Sequence, residues 1–277
     1  MISKLLVIAG AGDYPRFVIE GARRAGVPKI DVLAVKGSCS RATSRLGDRI
    51  FPFAAGESDK AVEWAASEGY DGAILAGQVN PMSLFRGRFD DVVRSWLSEM
   101  PVKNAHTIFG KLVYEFEKAG VRMCPASSYM DDHIPGVGVL TKRGLSQLEA
   151  DDVARGMLVA SDMGRHDVGQ TVLVKSGMVI AVEAFEGTNA AIKRAGRLSK
   201  GSVLCKAARE GHDWRFDIPV VGLTTLKKMK KAGATALAFQ AGRLILLDRD
   251  EVIAFADRNN IAIAGVDSHL PAAPLRP

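Results

Sequence analysis

Residues 211–222 read GHDWRFDIPVVG and carry the densest set of side chains able to handle a phosphate. If the stretch is extended, successive side chains point to opposite faces, so Asp213, Arg215 and Asp217 share one side and Trp214, Phe216 and Ile218 the other. Arginine offers planar paired donors that match phosphate oxygens, and the two aspartates supply the oxygen ligands that magnesium prefers. Lys206, on a preceding apolar run, can point to the same side. An edge strand that uses charge to deter aggregation would carry the same residues, so the alternation alone leaves both readings open.

Other candidates are weaker taken singly. GAGDYP at 10–15 opens like a dinucleotide fingerprint, but Pro15 stands at the third glycine position. The next apolar run also ends in Val35 and Lys36 rather than an acid that would hold a ribose. NAD is therefore disfavoured. Gly10 and Gly12 still allow close backbone approach to a phosphate or a ring, and Pro15 suits the first turn of a helix. A plain strand-to-helix turn would look the same.

HDVGQ (166–170) and EAFEGTN (183–189) flank an expected hairpin and bring Asp167, Gln170, Glu186 and Thr188 beside glycines. Satisfaction of local backbone groups accounts for any one of them. His106, His133, His166, His212 and His269 show no metal-ligand spacing, no GxSxG elbow occurs, and Cys205 lies in an apolar run where thiols are inert. KKMKK (227–231) reads as solvated lysines at a helix C-terminus, with docking to anionic lipid as the rival reading.

The elements that must position these residues follow from hydrophobic period. KLLVIA (4–9), IDVLAV (30–35), DRIFPF (48–53) and YDGAILAG (70–77) read as strands. They alternate with helical patterns at 15–26 and 57–69 and are followed by others at about 90–99 and 104–119, which predicts a parallel sheet covered on both faces. Ligands in such sheets sit beyond the strand carboxyl ends, here Gly10–Pro15 and Gly77–Pro81. SSYMDDHIPGVGVLTKRG (127–144) breaks the rhythm and marks the boundary between a Rossmann-like domain, 1–130, and a mixed α/β domain, 131–277. In the second domain a helix at about 146–163 precedes a hairpin turning at Ser176–Gly177. Then come a helix at 188–198, a strand around SVLCKAA, a helix opened by Thr224 or Thr225, strands ALAFQ and LILLD, a helix at 251–260 and a last strand IAIAGV.

Composition bounds the class. Charged residues make up 25% and hydrophobic residues 47%, ordinary for a folded domain, so disordered and fibrous classes are disfavoured. The apolar run at Leu5–Ala9 is too short for a signal peptide and no stretch reaches membrane-span length, so a cytoplasmic protein is expected. Three scattered cysteines suggest neither a disulfide framework nor structural zinc. The net charge of +6 suits anionic partners without identifying one.

With these residues in view, DVGQTVLVKSGMVIAVEAFEGTNAAIKRAGRL (167–198), GSVLCKAAREGHDWRFDIPVVGLTTL (201–226), LLDRDEVIAFADRNNIAIAGV (246–266) and IAGAGDYP (8–15) resemble the two-domain UDP-2,3-diacylglucosamine diphosphatases of lipid A synthesis. Ala11 stands where that family commonly has asparagine. The resemblance implies hydrolysis of a nucleotide-linked glycolipid to UMP and 2,3-diacylglucosamine 1-phosphate, with Mg2+ or a similar divalent cation, on a homodimer whose substrate lies between the two domains. It also implies that the second aspartate of D-x-R-x-D-x-P, here Asp217, is essential.

On that basis the expected catalytic group is Asp217, Lys206 and Arg215, with Asp217 and Glu186 as metal ligands. Gly10, Gly12, Pro15, Asp167, Gln170, Thr188 and Asp213 are the expected substrate contacts. A diacylated substrate implies a transient visit to the inner membrane surface, and no nucleic-acid partner is expected, since basic and aromatic residues do not interleave. An NAD(P)-dependent oxidoreductase and a non-catalytic nucleotide-binding module are the alternatives.

Overall fold

The computed structural model describes residues 2–78, 91–102, 104–209, 211 and 213–267. Part of the expected ligand segment Gly77–Pro81, including Pro81, lies outside the described residues, as do His212 and His269. The chain forms two compact units. The first comprises Met1–Asp131 and Asp213–Asp217; the second comprises Asp132–His212 and Ile218–Pro277.

The first unit runs β1 Lys4–Ala9, α1 Tyr14–Arg24, β2 Lys29–Val35, α2 Arg41–Ser44, β3 Ile50–Phe53, α3 Ser58–Glu68, β4 Gly72–Ala76, α4 Asp91–Glu99 and α5 Ala105–Lys118. Its four strands are parallel in the order β3-β2-β1-β4. The run Leu5–Ala9 of β1 is unbroken and apolar, and β2 is apolar from Val32 to Val35 after the buried Asp31, which pairs with Arg49, because both faces are covered. Leu6, Ile8, Leu33 and Val35 face α3 and α5 through Ala61, Val62, Val113 and Phe116. The apolar stripe of α1, with Val18 and Ile19 buried, packs on β1 and β4 outside that cluster. Pro15 sits in the first turn of α1 and Gly69, at φ 65°, closes α3. This is the Rossmann-like unit the hydrophobic periods predict.

The second unit contains β5 Gly138–Val139, α6 Gln147–Arg165, β6 Thr171–Lys175, β7 Met178–Val182, α7 Thr188–Leu198, β8 Val203–Lys206, β9 Val220–Val221, α8 Leu223–Ala232, β10 Ala236–Gln240, β11 Ile245–Leu246, α9 Arg249–Arg258 and β12 Ala262–Val266. Six strands form a mixed sheet in the order β5-β12-β10-β8-β6-β7. Strand alternation divides its core: Val172, Val174, Val203 and Cys205 face α6, while Leu173, Ala181 and Leu204 face α7, α8 and α9. The expected hairpin is present. Ser176 and Gly177 turn it with φ 50° and 75°, and their amides donate to the Asp152 carboxylate at 2.9 and 2.6 Å.

Two expectations fail locally. The helix α8 is preceded by Gly222 without a side-chain cap, so neither Thr224 nor Thr225 opens it. The stretch GHDWRFDIPVVG is not extended across its charged residues: Trp214–Phe216 form a turn, closed by the amides of Phe216 and Asp217 donating to the Asp213 carbonyl at 3.1 and 2.9 Å. It is therefore neither a phosphate-facing strand nor a protective edge strand. Within the stretch, Asp213–Asp217 cluster with the first unit, and the residues on either side belong to the second.

Candidate functional site

In the second unit, sheet pairing assembles a polar cluster that no short stretch of sequence contains. Lys206 ends β8 and Thr171 begins β6, and antiparallel pairing sets them opposite each other. Glu183 follows β7, tied by its amide to the Thr171 carbonyl at 2.8 Å. Period-two alternation puts Lys206, Thr171 and Glu183 on the face that α7 covers, where Thr188 opens that helix after Gly187, which has φ 81°. Lys206 keeps 5% of its surface exposed and Thr171 none.

The Lys206 ammonium donates to Thr171 Oγ1 at 3.1 Å and to Thr188 Oγ1 at 3.0 Å, and lies 3.7 Å from Glu183 Oε2. The Thr188 hydroxyl donates to Glu183 Oε1 at 2.8 Å. Burial pushes the Glu183 carboxyl pKa up, but the Lys206 charge, the Thr171 and Thr188 hydroxyls and the Thr188 amide outweigh it and hold the group below its ordinary value. Glu183 is thus an anion beside a buried cation. Its Oε2 is buried without a hydrogen-bond partner.

Of the expected residues, Lys206 and Thr188 meet directly, and Gln170 lines the same corner by accepting the Ala207 amide on its carbonyl at 3.0 Å. Asp167, at φ 54°, pairs with Arg209 at 3.1 Å. Glu186, an expected metal ligand, instead pairs with Arg194, which also donates to the Val182 carbonyl at 2.7 Å. The carboxylate that reaches Lys206 is Glu183, three residues earlier. Its sequence signal was an acid placed directly after an apolar strand, and Thr171 gave none apart from its position at a strand start.

In the first unit, Arg215 is enclosed by acids. It donates from Nε to Asp213 Oδ1 at 2.9 Å, from Nη2 to Asp213 Oδ2 at 2.6 Å and from Nη1 to Glu117 at 2.7 Å. The hydrogen bonds from Arg215 hold the Asp213 carboxyl below its usual value, and those carboxylates raise the arginine in turn. Phe216 anchors the turn between His106, centroids 5.3 Å apart, and Phe109 at 6.1 Å, and the Trp214 carbonyl accepts the Ala126 amide at 2.7 Å. Asp217, partly buried, leaves this turn immediately before Ile218 and Pro219.

The glycine loop of the first unit has a structural use. A Cβ on Gly10 would stand 2.6 Å from the Gln78 carbonyl oxygen, because the two loops exchange amides between Ala11 and Gln78 at 2.6 and 2.9 Å. Gly10 therefore serves loop-to-loop contact. Gly12, at φ 89°, faces open space, and Pro15 packs 3.0 Å from the position of a Gly77 Cβ.

Among the described residues no three His, Cys, Asp or Glu side chains gather as a metal cage. Asp213 and Glu186 are both engaged by arginines. These residues fit a magnesium ion held by one carboxylate together with substrate phosphates, a common mode for that ion, and do not fit an all-protein site.

Comparison with known proteins places the chain. The family model described as the LpxI N-terminal domain matches residues 4–133, and that of the LpxI C-terminal domain matches 136–264. The UDP-2,3-diacylglucosamine pyrophosphatase LpxI of Caulobacter vibrioides is 31% identical over 280 residues, covering 95% of this chain and 98% of that protein. Among solved structures, the biotin carboxylase domain of a thermophilic 2-oxoglutarate carboxylase matches with 13% identity over 62% of this chain and 35% of that one, at a TM-score of 0.30. The biotin carboxylase subunit of a pyruvate carboxylase matches with 14% identity over 72% and 41%, at 0.29. The chain spans less than half the length of either. No helix among the described residues is long and apolar enough to cross a membrane. Both halves of the sequence and its alignment along nearly its whole length agree that the chain belongs to the LpxI family.

Proposed function

We propose that this protein hydrolyses the pyrophosphate bond of UDP-2,3-diacylglucosamine to UMP and 2,3-diacylglucosamine 1-phosphate in lipid A synthesis. The observation that carries the reading is the alignment with the Caulobacter pyrophosphatase over 95% of this chain. Water adds to one phosphorus and the bridging oxygen leaves with the other phosphate, so catalysis consists of neutralising oxygens and aligning the water.

Lys206 supplies a buried ammonium with two donors fixed by threonine hydroxyls, and its third N–H, which has no hydrogen-bond acceptor among the described residues, is assigned to a phosphate oxygen. Asp217 is assigned to orienting the water or holding a divalent ion. Such an ion, when bound, would neutralise phosphate oxygens. Thr188 and Gln170 line the phosphate corner, whereas the ion pairs of Arg215 assign it to holding the turn that presents Asp217. The proposal extends to a homodimer, on the family resemblance. It extends also to transient contact with an anionic membrane surface, supported by the net charge of +6 and the two acyl chains of the substrate.

The test is to incubate the purified protein with UDP-2,3-diacylglucosamine and Mg2+ and follow UMP. Release that stops on chelation is expected; absence of UMP with and without the metal overturns the reading. Following NADH and NADPH absorbance in the same samples separates the oxidoreductase alternative.

A further inference from the structure

The Glu183 carboxylate is buried and charged, yet its Oε2 has no hydrogen-bond partner at normal distance among the described residues. A merely structural acid would satisfy both oxygens, since a buried unpaired acceptor is costly. Oε1 accepts the Thr188 hydroxyl at 2.8 Å, and the Thr171 hydroxyl and the Thr188 amide also favour the charged carboxylate. Oε2 faces the Lys206 ammonium at 3.7 Å, beyond hydrogen-bond reach. The two hydroxyls that receive Lys206 lie 3.4 Å apart, and the one on Thr188 is itself oriented by Glu183. An unbroken chain therefore runs from Glu183 through Thr188 to Lys206.

Local packing keeps this acid in place. A Cβ on Gly169 would come 2.3 Å from the Glu183 carbonyl oxygen, so the loop before β6 presses directly on the Glu183 backbone. The carboxylate lies beside the buried ammonium at 3.7 Å, too distant to take its third N–H.

We propose that Glu183 is a positioning residue: acting through Thr188, it keeps the Lys206 ammonium turned so that the remaining N–H meets a phosphate oxygen of the diphosphate substrate. This rests on the reading that Lys206 binds phosphate.

The test is a double-mutant cycle on UMP release with Glu183→Gln, Lys206→Met and the pair, with melting temperatures measured on the same proteins. Glu183→Gln is expected to lower kcat/KM by about ten- to a hundredfold, as loss of an orienting partner commonly does. The larger share should fall in KM, because a reduced folded fraction would lower only the maximal rate. The double variant should be no slower than Lys206→Met alone, and Glu183→Asp should recover part of the loss. Multiplied losses in the double variant, or unchanged KM in Glu183→Gln, overturn the positioning role while Lys206 keeps its own. Wild-type activity in Lys206→Met overturns the phosphate-binding reading itself, and the positioning role with it. Should Glu183→Gln fold poorly, Thr188→Val interrupts the same chain without removing charge and is expected to raise KM likewise; unchanged KM there overturns the proposal.

Discussion

Arg215 and Lys206 are both cations beside acids, yet their surroundings differ in kind. Arg215 keeps 33% of its side chain exposed and has two carboxylates closed upon its guanidinium. Lys206 keeps 6% exposed, faces one carboxylate at 3.7 Å and donates otherwise to neutral hydroxyls. The arginine site is complete without a ligand. The lysine site retains a buried oxygen and an N–H to be used, and desolvated charges interact far more strongly than exposed ones. Charge in a sequence therefore marks a candidate, and unfinished buried hydrogen bonding marks the better one.

The largest expected effect breaks the chemistry while leaving both cation sites intact. Asp217→Ala should lower kcat by about a thousandfold, roughly 4 kcal/mol of lost transition-state stabilisation, in a protein that still unfolds cooperatively, checked by UMP release and thermal scanning. Gly169→Ala strikes the lysine side. The new Cβ must displace the Glu183 backbone from 2.3 Å, so a stability loss of about 1–3 kcal/mol in denaturant titration and a matching fall in activity are expected.

Arg215→Ala sharpens the contrast directly. Because its partners are partly exposed ion pairs, stability should fall by no more than about 1 kcal/mol, and activity less than about tenfold. A hundredfold loss with stability intact would return Arg215 to the phosphate. Glu149 gives the smallest effect and a control remote from the reaction. Burial raises its carboxyl, but the Arg143 hydrogen bonds at 2.7 and 3.0 Å, with the other donors, bring it from 4.5 down to about 2. A depressed folded pKa stabilises the native state above the unfolded value and is lost as pH falls toward 2. Glu149→Gln should therefore flatten the loss of stability between about pH 5 and 2, measured by urea midpoints across that range, without altering turnover near neutrality.

The Rossmann-like sheet is legible because Leu5–Ala9 is a continuous apolar run and Ile30–Val35 is apolar apart from Asp31, the two separated by helical spacing, and the hairpin because Ser176–Gly177 interrupts two apolar stretches. The turn at 213–217 was misread for a definite reason. Alternation of charge with Trp214 and Phe216 over five residues imitates a strand, whereas Asp213 accepts the amide two residues on, from Arg215 at 2.9 Å, as turn aspartates do. Local spacing cannot distinguish Glu183 from Glu186 as the acid nearer Lys206. Only the pairing of β6 with β8, and of the residue after β7 with Thr171, brings residues 171, 183, 188 and 206 together. Contacts set by strand order leave no mark in any short window of sequence.

The most direct test of the lysine site is kcat/KM for UMP release by Lys206→Met, a change that preserves the length of the buried stem while removing the charge. A fall of about a hundredfold or more in a protein that still unfolds cooperatively is predicted. Activity within about twofold of the unaltered protein would contradict the account, because a buried ammonium holding a phosphate in the transition state cannot be removed at so small a cost.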